Sequence, residues 1–335
     1  MADESRMLFN RDGQAMDQRL EDKYHRQAGM LANRVKKRFR HLHKRFEKAG
    51  IEVFRLYDWD IPEIRAVVDW YAGHLVVGEY TRKQSTPEWL PMMGAEVGRA
   101  LEVPPDNIHL KERFYGKTEG RRYERIDHTD RMFAVSERDL KFLVNPWDYV
   151  DTGLFADHRN TRQMVREMAA GKAFLNLFCY TGSFSCYAAS GGARLTVSVD
   201  RSKTAIRWAR RNYELNGLSE KEHRLVQAHV FEFLSAARSK AQRFDIAVVD
   251  PPSFYAIESE EESFDVVADH VRLLRDVSAL MHPGATLFFS TNHQNFTSRL
   301  EELDAADISE ITSRTIPEDY IHKRKRIHRC WRIIV

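Results

Sequence analysis

Three short stretches of this chain are the most informative about its fold: FLNLFCYTGS at residues 174–183, LTVSVD at residues 195–200 and IAVVDPPSF at residues 246–254. Each contains an apolar run of strand length that leads to glycine, proline or an acid, and helix-length segments lie between the runs. This alternation predicts an α/β fold whose mainly parallel sheet carries helices on both faces. The strands are predicted near residues 174–178, 195–199, 224–228, 245–249 and 285–290, with a final pair near 307–314 and 327–334.

Two of these strand ends predict a nucleoside pocket. Gly182 lies in the first strand-to-helix turn, where a doubly wound sheet approaches its ligand most closely, and a ribose-binding carboxylate is expected about 20 residues later. Asp200 stands there. The chain lacks the G-x-G-x-x-G turn that a dinucleotide needs, whereas one tight glycine suits S-adenosylmethionine (SAM), which has no phosphate. His229 ends the third strand, where an acid is more usual, and its neutral ring can accept one hydrogen bond from adenine.

The third stretch predicts a rigid substrate loop. Two successive prolines cannot belong to a central strand, so the residues that follow Asp250 must leave the sheet. Phe254 then offers its ring to a planar base, and such stacking contributes about 1–3 kcal/mol. The candidate catalytic residues are Asp250, Pro251, Pro252 and Phe254.

The cysteines bear on which atom receives a methyl group. Methylation of pyrimidine carbon 5 needs a covalent cysteine adduct, but Cys179 and Cys186 belong to the predicted cofactor turn and its helix. Guanine N7 instead offers a lone pair and needs mainly positioning. The third cysteine, Cys330, leaves an odd number without metal spacing, which predicts a reducing compartment and no metal site.

Basic residues are concentrated in two segments, residues 23–48 and residues 323–326. Residues 23–48 hold ten Lys and Arg against one acid, and an apolar stripe from Leu31 to Phe46 places them on one helix. Such blocks predict a nucleic acid partner. No apolar run approaches membrane length, so a cytoplasmic location is predicted. The candidate RNA contacts are Arg34, Lys36, Lys37, Arg38, Arg40, Lys44, Arg45, Lys323, Arg324, Lys325 and Arg326.

The motifs resemble those of the RlmK family, the guanine-N7 methyltransferase half of bifunctional large-subunit rRNA methyltransferases, and more distantly the RlmI cytosine-C5 enzymes. The resemblance runs from about Leu31 to the end of the chain. It is carried by the three stretches above together with YVDTGLF at 149–155, DHR at 157–159, SVDRSKT at 198–204, WARRN at 208–212, and RIH at 326–328 with Cys330 and Trp331.

The patterns along the chain predict a basic helical segment at 1–50, a small α+β accessory domain at 51–148 and a further domain at 149–335. The resemblance implies that this last domain is a class I, Rossmann-like methyltransferase. It implies SAM as donor, with S-adenosylhomocysteine (SAH) as product, and 23S rRNA or a large-subunit assembly intermediate as substrate. A separate guanine-N2 methyltransferase carrying a THUMP domain is a candidate partner. His229 and Ala156 depart from the family's usual Asp and Leu. The cofactor contacts assigned from the pocket and the resemblance are Phe155, Arg159, Asn176, Phe178, Tyr180, Thr181, Gly182, Ser183, Asp200, Arg201, Ser202, His229, Val230 and Asp250.

Two alternatives stay open from the sequence. One is methylation of a guanine or adenine amino group, although Ser253 interrupts the usual order of acid, two prolines and aromatic residue. The other is a catalytically silent RNA-binding or ribosome-assembly protein, which only His229 encourages.

Overall fold

The chain forms two compact units in the computed structural model, which describes residues 18–114, 125–255, 263–322 and 325–335. Among these, residues 18–114, 125–131 and 146–150 form the first unit, and residues 132–145 and those from 151 onward form the second. Within this described part, no helix combines the length and the apolar character needed to cross a membrane.

The first unit is a helix-covered sheet. It contains α1 (Gln18–Lys48), β1 (Val53–Asp58), β2 (Ala66–Tyr71), β3 (His74–Thr81), α2 (Trp89–Leu101) and β4 (Ile108–Phe114). The sheet order is β1-β2-β3-β4, antiparallel except for the parallel pair β3 and β4. Leu31, Val35 and Leu42 of α1 are fully buried in the same core as Phe54 and Val68. The predicted boundary at residue 50 is therefore corrected, because the basic helix is part of the core of this domain.

The hairpin of β5 (Phe133–Glu137) and β6 (Leu140–Val144) corrects the second predicted boundary. It belongs to the second unit, not to the small accessory domain. The main-chain N–H of Leu143 donates to Asn212 Oδ1 at 2.9 Å, and its carbonyl accepts from Trp208 Nε1 at 3.0 Å. These partners lie more than 60 residues away along the chain, so local sequence patterns do not reveal them.

The second unit is built on a seven-stranded sheet. After a 3-10 turn (Ala156–His158) come α3 (Arg159–Met168), β7 (Ala173–Leu177), α4 (Ser183–Ser190), β8 (Leu195–Asp200), α5 (Lys203–Leu215), β9 (His223–Gln227), α6 (Val230–Ser239), β10 (Phe244–Val249), β11 (Phe254–Tyr255), β12 (Phe264–Asp265), α7 (Val266–Ser278), β13 (Met281–Thr291), β14 (Asp307–Glu310), α8 (Thr312–Thr315) and β15 (Arg329–Ile334). The predicted strands are confirmed within a few residues, except that the strand predicted near 307–314 ends at Glu310 and Thr312–Thr315 form α8.

The strand order locates the site. It reads β14-β15-β13-β10-β7-β8-β9, and only the pairings of β15 with its neighbours are antiparallel. From β7 the chain adds β8 and β9 on one side and then crosses to β10 on the other. Ligands bind at the carboxyl ends of the strands where such a reversal occurs. The ends of β7, β8 and β10 therefore frame the candidate site.

Candidate active site

The turn after β7 is tightly folded in left-handed backbone conformations. Phe178, Tyr180 and Gly182 have φ values of 57°, 48° and 75°. A Cβ atom on Gly182 would lie 3.1 Å from both Ala209 Cβ and Tyr213 Cε1 of α5. Glycine is thus required at position 182 for two reasons, the positive φ of the backbone and the close approach of α5. The turn carries main-chain groups to the edge of the sheet, as the sequence predicts.

Asp200 is held by this turn. Its Oδ2 accepts from the Tyr180 N–H at 2.9 Å, and its Oδ1 accepts from the Ser202 N–H at 2.8 Å. Burial raises the pKa of Asp200, and the two backbone hydrogen bonds oppose that rise. A carboxylate offers about four acceptor positions. The geometry therefore leaves acceptor capacity for the hydroxyls of a ribose.

The segment at 151–155 covers the same turn. Thr181 Oγ1 donates to the Gly153 carbonyl at 2.7 Å, and Tyr180 Oη donates to the Asp151 carbonyl at 3.3 Å. Gly153 has a φ of 108°, and a Cβ there would lie 2.2 Å from Trp208 Cζ2. Phe155, 36% exposed, lies with its ring centroid 5.3 Å from that of Tyr180. An apolar ring thus borders the predicted pocket.

His229 has a partner that the sequence did not indicate. Its Nε2 lies 2.8 Å from Tyr255 Oη, and the Arg201 guanidinium lies 4.5 Å from the centre of the Tyr255 ring. Tyr255 also stacks on Phe264 at 5.6 Å. His229 Nε2 therefore already has a partner, and the adenine contact of His229 stays a prediction. Periodicity could not single out Tyr255, because it reads as an ordinary core aromatic.

The substrate loop is fixed at both ends by hydroxyl groups. Ser290 Oγ donates to Asp250 Oδ1 at 2.6 Å, and Ser253 Oγ donates to Asn292 Oδ1 at 2.8 Å. Phe254 starts β11 and is 46% exposed. The structure thus brings Asp250 and the exposed ring to the end of β10, as predicted, and adds Ser290 and Asn292 from the end of β13.

Three predicted cofactor contacts have side chains that are occupied in the interior, and their contact with the cofactor stays a prediction. Asn176 is buried and donates to Ser185 Oγ at 3.0 Å. Arg159 is buried in an ion pair with Asp319. Val230 packs in the sheet core, so only its main chain is available at the strand end. Of the other predicted contacts, Ser202 caps α5 by accepting from Ala205 N at 3.2 Å, Phe178 packs on Phe264 at 5.8 Å, and Ser183 begins α4.

The basic residues divide into paired and exposed groups. Lys36, Lys37 and Arg40 border a concave patch on α1 together with Asn33 and His41, and Lys44 is exposed on the same helix. Other charges are partly neutralised. Arg34 pairs with Asp60 at 2.7 Å, and Arg326 pairs with Glu310 at 3.2 Å. Lys323 and Arg324 lie outside the described residues, while Arg38, Arg45 and Lys325 lie within them.

The sheet order, the left-handed turn and the strand-end carboxylates define a class, the class I methyltransferases that use SAM. A model of the S-adenosylmethionine-dependent methyltransferase family matches residues 117–314, and the chain belongs to this family. SAM is therefore its cofactor. The residues fit that group, because Asp200 has acceptor capacity for ribose hydroxyls at the edge of a tight turn.

The chain is also similar to particular proteins. It is 40% identical over 310 residues to Ribosomal RNA large subunit methyltransferase K of Neisseria meningitidis serogroup B (strain ATCC BAA-335 / MC58), with 90% of this chain and 86% of that protein covered. It superposes on SMU.776, a putative methyltransferase complexed with SAH, at a TM-score of 0.71, with 24% identity over 91% of this chain and 82% of that one. A putative SAM-dependent methyltransferase from Streptococcus mutans gives a TM-score of 0.69, with 24% identity over 91% of this chain and 81% of that one. The two structures confirm the predicted fold.

Proposed function

We propose that the enzyme transfers a methyl group from SAM to N7 of a guanine in 23S rRNA. The RNA substrate class is supported by the Neisseria relative, a ribosomal RNA large subunit methyltransferase. The observation that carries the proposal is the 46% exposed ring of Phe254, on the loop that follows Asp250 out of the sheet. An aromatic face at this strand end can stack on an unpaired base.

The chain's residues then have a positioning task. SAM, when bound, supplies an electrophilic sulfonium methyl group. Phe254 would hold the plane of the base, and Pro251 and Pro252 would keep the loop rigid, so that the N7 lone pair points at the methyl carbon. Positioning of this kind can contribute on the order of 7–11 kcal/mol. Asp250 would stabilise the positive charge that develops on the purine. No proton has to be removed in this reaction.

The cysteines support transfer to nitrogen rather than to pyrimidine carbon. Cys179, Cys186 and Cys330 are all buried, and burial raises the pKa of each thiol. A covalent adduct needs an accessible thiolate, and these environments disfavour one.

The exposed charges of α1 would bind the RNA backbone. Lys36, Lys37, Arg40 and Lys44 are intermediate or exposed and face away from the buried stripe of that helix. Phosphate contacts of this kind are independent of base sequence and weaken with salt. The substrate would be 23S rRNA or an assembly intermediate in the cytoplasm. A separate guanine-N2 methyltransferase with a THUMP domain stays a predicted partner.

The test is to incubate the purified enzyme with large-subunit rRNA and labelled SAM, digest the RNA and identify the nucleoside by mass spectrometry. We expect 7-methylguanosine, and the same nucleoside should be missing from RNA of cells that lack the protein. A methyl group on an exocyclic amine would replace the proposal with the amino-group alternative. RNA binding without any transfer would favour the silent assembly protein.

A further inference from the structure

A buried histidine outside the predicted catalytic set lies against Asp250. His158 ends the 3-10 turn Ala156–His158 and is 5% exposed. Its Nε2 lies 3.5 Å from Asp250 Oδ2 and 3.7 Å from Asp157 Oδ2. Its Nδ1 is buried without a hydrogen-bond partner among the residues that the structure describes. Buried polar atoms usually have a hydrogen-bond partner, so the unpartnered Nδ1 of His158 needs an explanation.

These contacts determine where the imidazole proton lies. Ionised carboxylates only accept hydrogen bonds, so the two carboxylates near Nε2 favour the tautomer of His158 that carries its proton on Nε2. A second proton on Nδ1 would create a buried N–H with no acceptor, which is costly. Burial lowers the pKa of His158. The Asp250 and Asp157 carboxylates oppose this shift, and His328 and Arg162 add to it. His158 is therefore a neutral donor near pH 7.

A second histidine holds His158 in place. The His328 ring stacks on the His158 ring with centroids 4.2 Å apart and an interplanar angle of 10°. His328 Nδ1 donates to Asp157 Oδ2 at 2.9 Å, and its Nε2 lies 3.0 Å from Thr315 Oγ1. One face of the His158 ring is thus covered by His328, whose two ring nitrogens are themselves held by Asp157 and Thr315.

The cluster acts on a carboxylate that is still accessible. The Asp250 side chain is 28% exposed, and its Oδ1 accepts from Ser290 Oγ at 2.6 Å. Its two oxygens therefore face two neutral donor groups, the Ser290 hydroxyl and the His158 N–H. From this geometry we infer that His158 is a positioning residue for methyl transfer, which orients Asp250 towards the target base while leaving its negative charge intact.

This inference rests on the proposed function, in which Asp250 faces the base, and it has a consequence for pH. A protonated His158 would neutralise the field of Asp250 and so reduce its stabilisation of a developing positive charge. The transfer rate should be constant near neutral pH. It should fall as the pH drops below 6.5 through the lowered pKa of His158.

Two variants separate orientation from charge. His158→Gln retains an N–H donor but does not titrate, so its single-turnover rate should stay near that of the wild type at neutral pH and lose the fall on the acid side. His158→Leu removes the donor and should slow transfer about ten- to a hundredfold, as for the loss of one hydrogen bond to a charged group. SAM affinity and thermal stability, measured on both variants, report whether the pocket and the fold survive.

His223→Gln is the matched control. Burial also lowers the pKa of His223, but this residue begins β9, at the opposite end of the strands from Asp250. Its pH profile should match that of the wild type between about pH 5 and 8.

Several results would overturn the inference. One is an acid-side fall that persists in His158→Gln, and another is an unchanged rate in folded His158→Leu. Loss of wild-type turnover with a chelator is a third, because Asp157, His158 and His328 offer ligand atoms within 4.8 Å of one another and would then hold a metal ion. If the wild-type enzyme methylates an amino group instead, the proposed function is wrong. The effect of the His158 variants on the transfer rate is then measured on that reaction, so the two failures are distinguishable. If no methyl is transferred, both fail.

Discussion

Asp200 ends one parallel strand of the sheet and Asp250 directly follows another, but the protein holds the two carboxylates differently. Both oxygens of Asp200 accept from main-chain N–H groups, at 2.9 and 2.8 Å. Asp250 is contacted by side chains, the Ser290 hydroxyl at 2.6 Å and the His158 imidazole at 3.5 Å. Main-chain donors are retained in every single substitution except one by proline. The contacts of Asp250 come from the side chains of Ser290 and His158, so a single substitution can remove either of them.

The largest effect is expected at Asp200, the carboxylate that is predicted to bind the cofactor. Asp200→Ala should weaken SAM binding by about 1.5–3 kcal/mol, or roughly 10- to 150-fold, because it removes a charged acceptor from the ribose. Asp250→Ala, at the other strand end, should change SAM affinity much less. Calorimetric titration measures both. Equal SAM affinity in wild type and Asp200→Ala would remove the assigned pocket.

The next effect tests the substrate side. Phe254→Ala should slow methyl transfer by about 1–3 kcal/mol, roughly 5- to 150-fold, through lost base stacking, with SAM affinity unchanged. Phe155→Ala is the matched exposed ring on the cofactor side, and it should weaken SAM binding instead. Single-turnover rates and SAM titrations on both variants check the contrast. The predicted contrast is wrong if both substitutions change only the transfer rate, or if both change only the SAM affinity.

A third prediction concerns charges that touch neither carboxylate. Replacing Lys36, Lys37, Arg40 and Lys44 by Ala should flatten the slope of log K against log[salt] for RNA by about two or more, because each phosphate contact contributes roughly 0.7–0.9. SAM affinity should not change. Arg34→Ala is the control, since Asp60 already pairs with that guanidinium at 2.7 Å. A slope that stays constant in the fourfold variant would make α1 a solvated surface.

The smallest expected effect comes from the thiols beside the two carboxylates. Cys179 lies in the turn that binds Asp200, and Cys330 on β15 pairs with Ser290. With all three cysteines replaced by Ala, transfer should persist at a rate of the same order, because attack by N7 needs no enzyme adduct. Circular dichroism establishes that the variant folds. Abolished turnover in the folded variant would overturn transfer to N7.

The succession of strands and helices along the chain, and the strand ends that form the candidate site, could be predicted from the sequence. Gly182, Asp200 and the prolines after Asp250 act through local backbone geometry, which short patterns record. Phe254 was predictable for the same reason, because two prolines force the chain out of the sheet and carry the next aromatic residue with it.

The distant side chains that contact the candidate site could not be predicted, because they approach it only in the folded protein. His328 meets Asp157 across 171 residues of chain, and Ser290 meets Asp250 across 40. The same holds for Leu143 and Asn212, 69 residues apart, whose contact assigns the β5–β6 hairpin to the second unit. Local propensity carries no information about such pairings, because burial and strand order create them. Asn176 and Arg159 belong to motifs that the sequence shows, but the sequence does not show that folding buries their side chains in the interior.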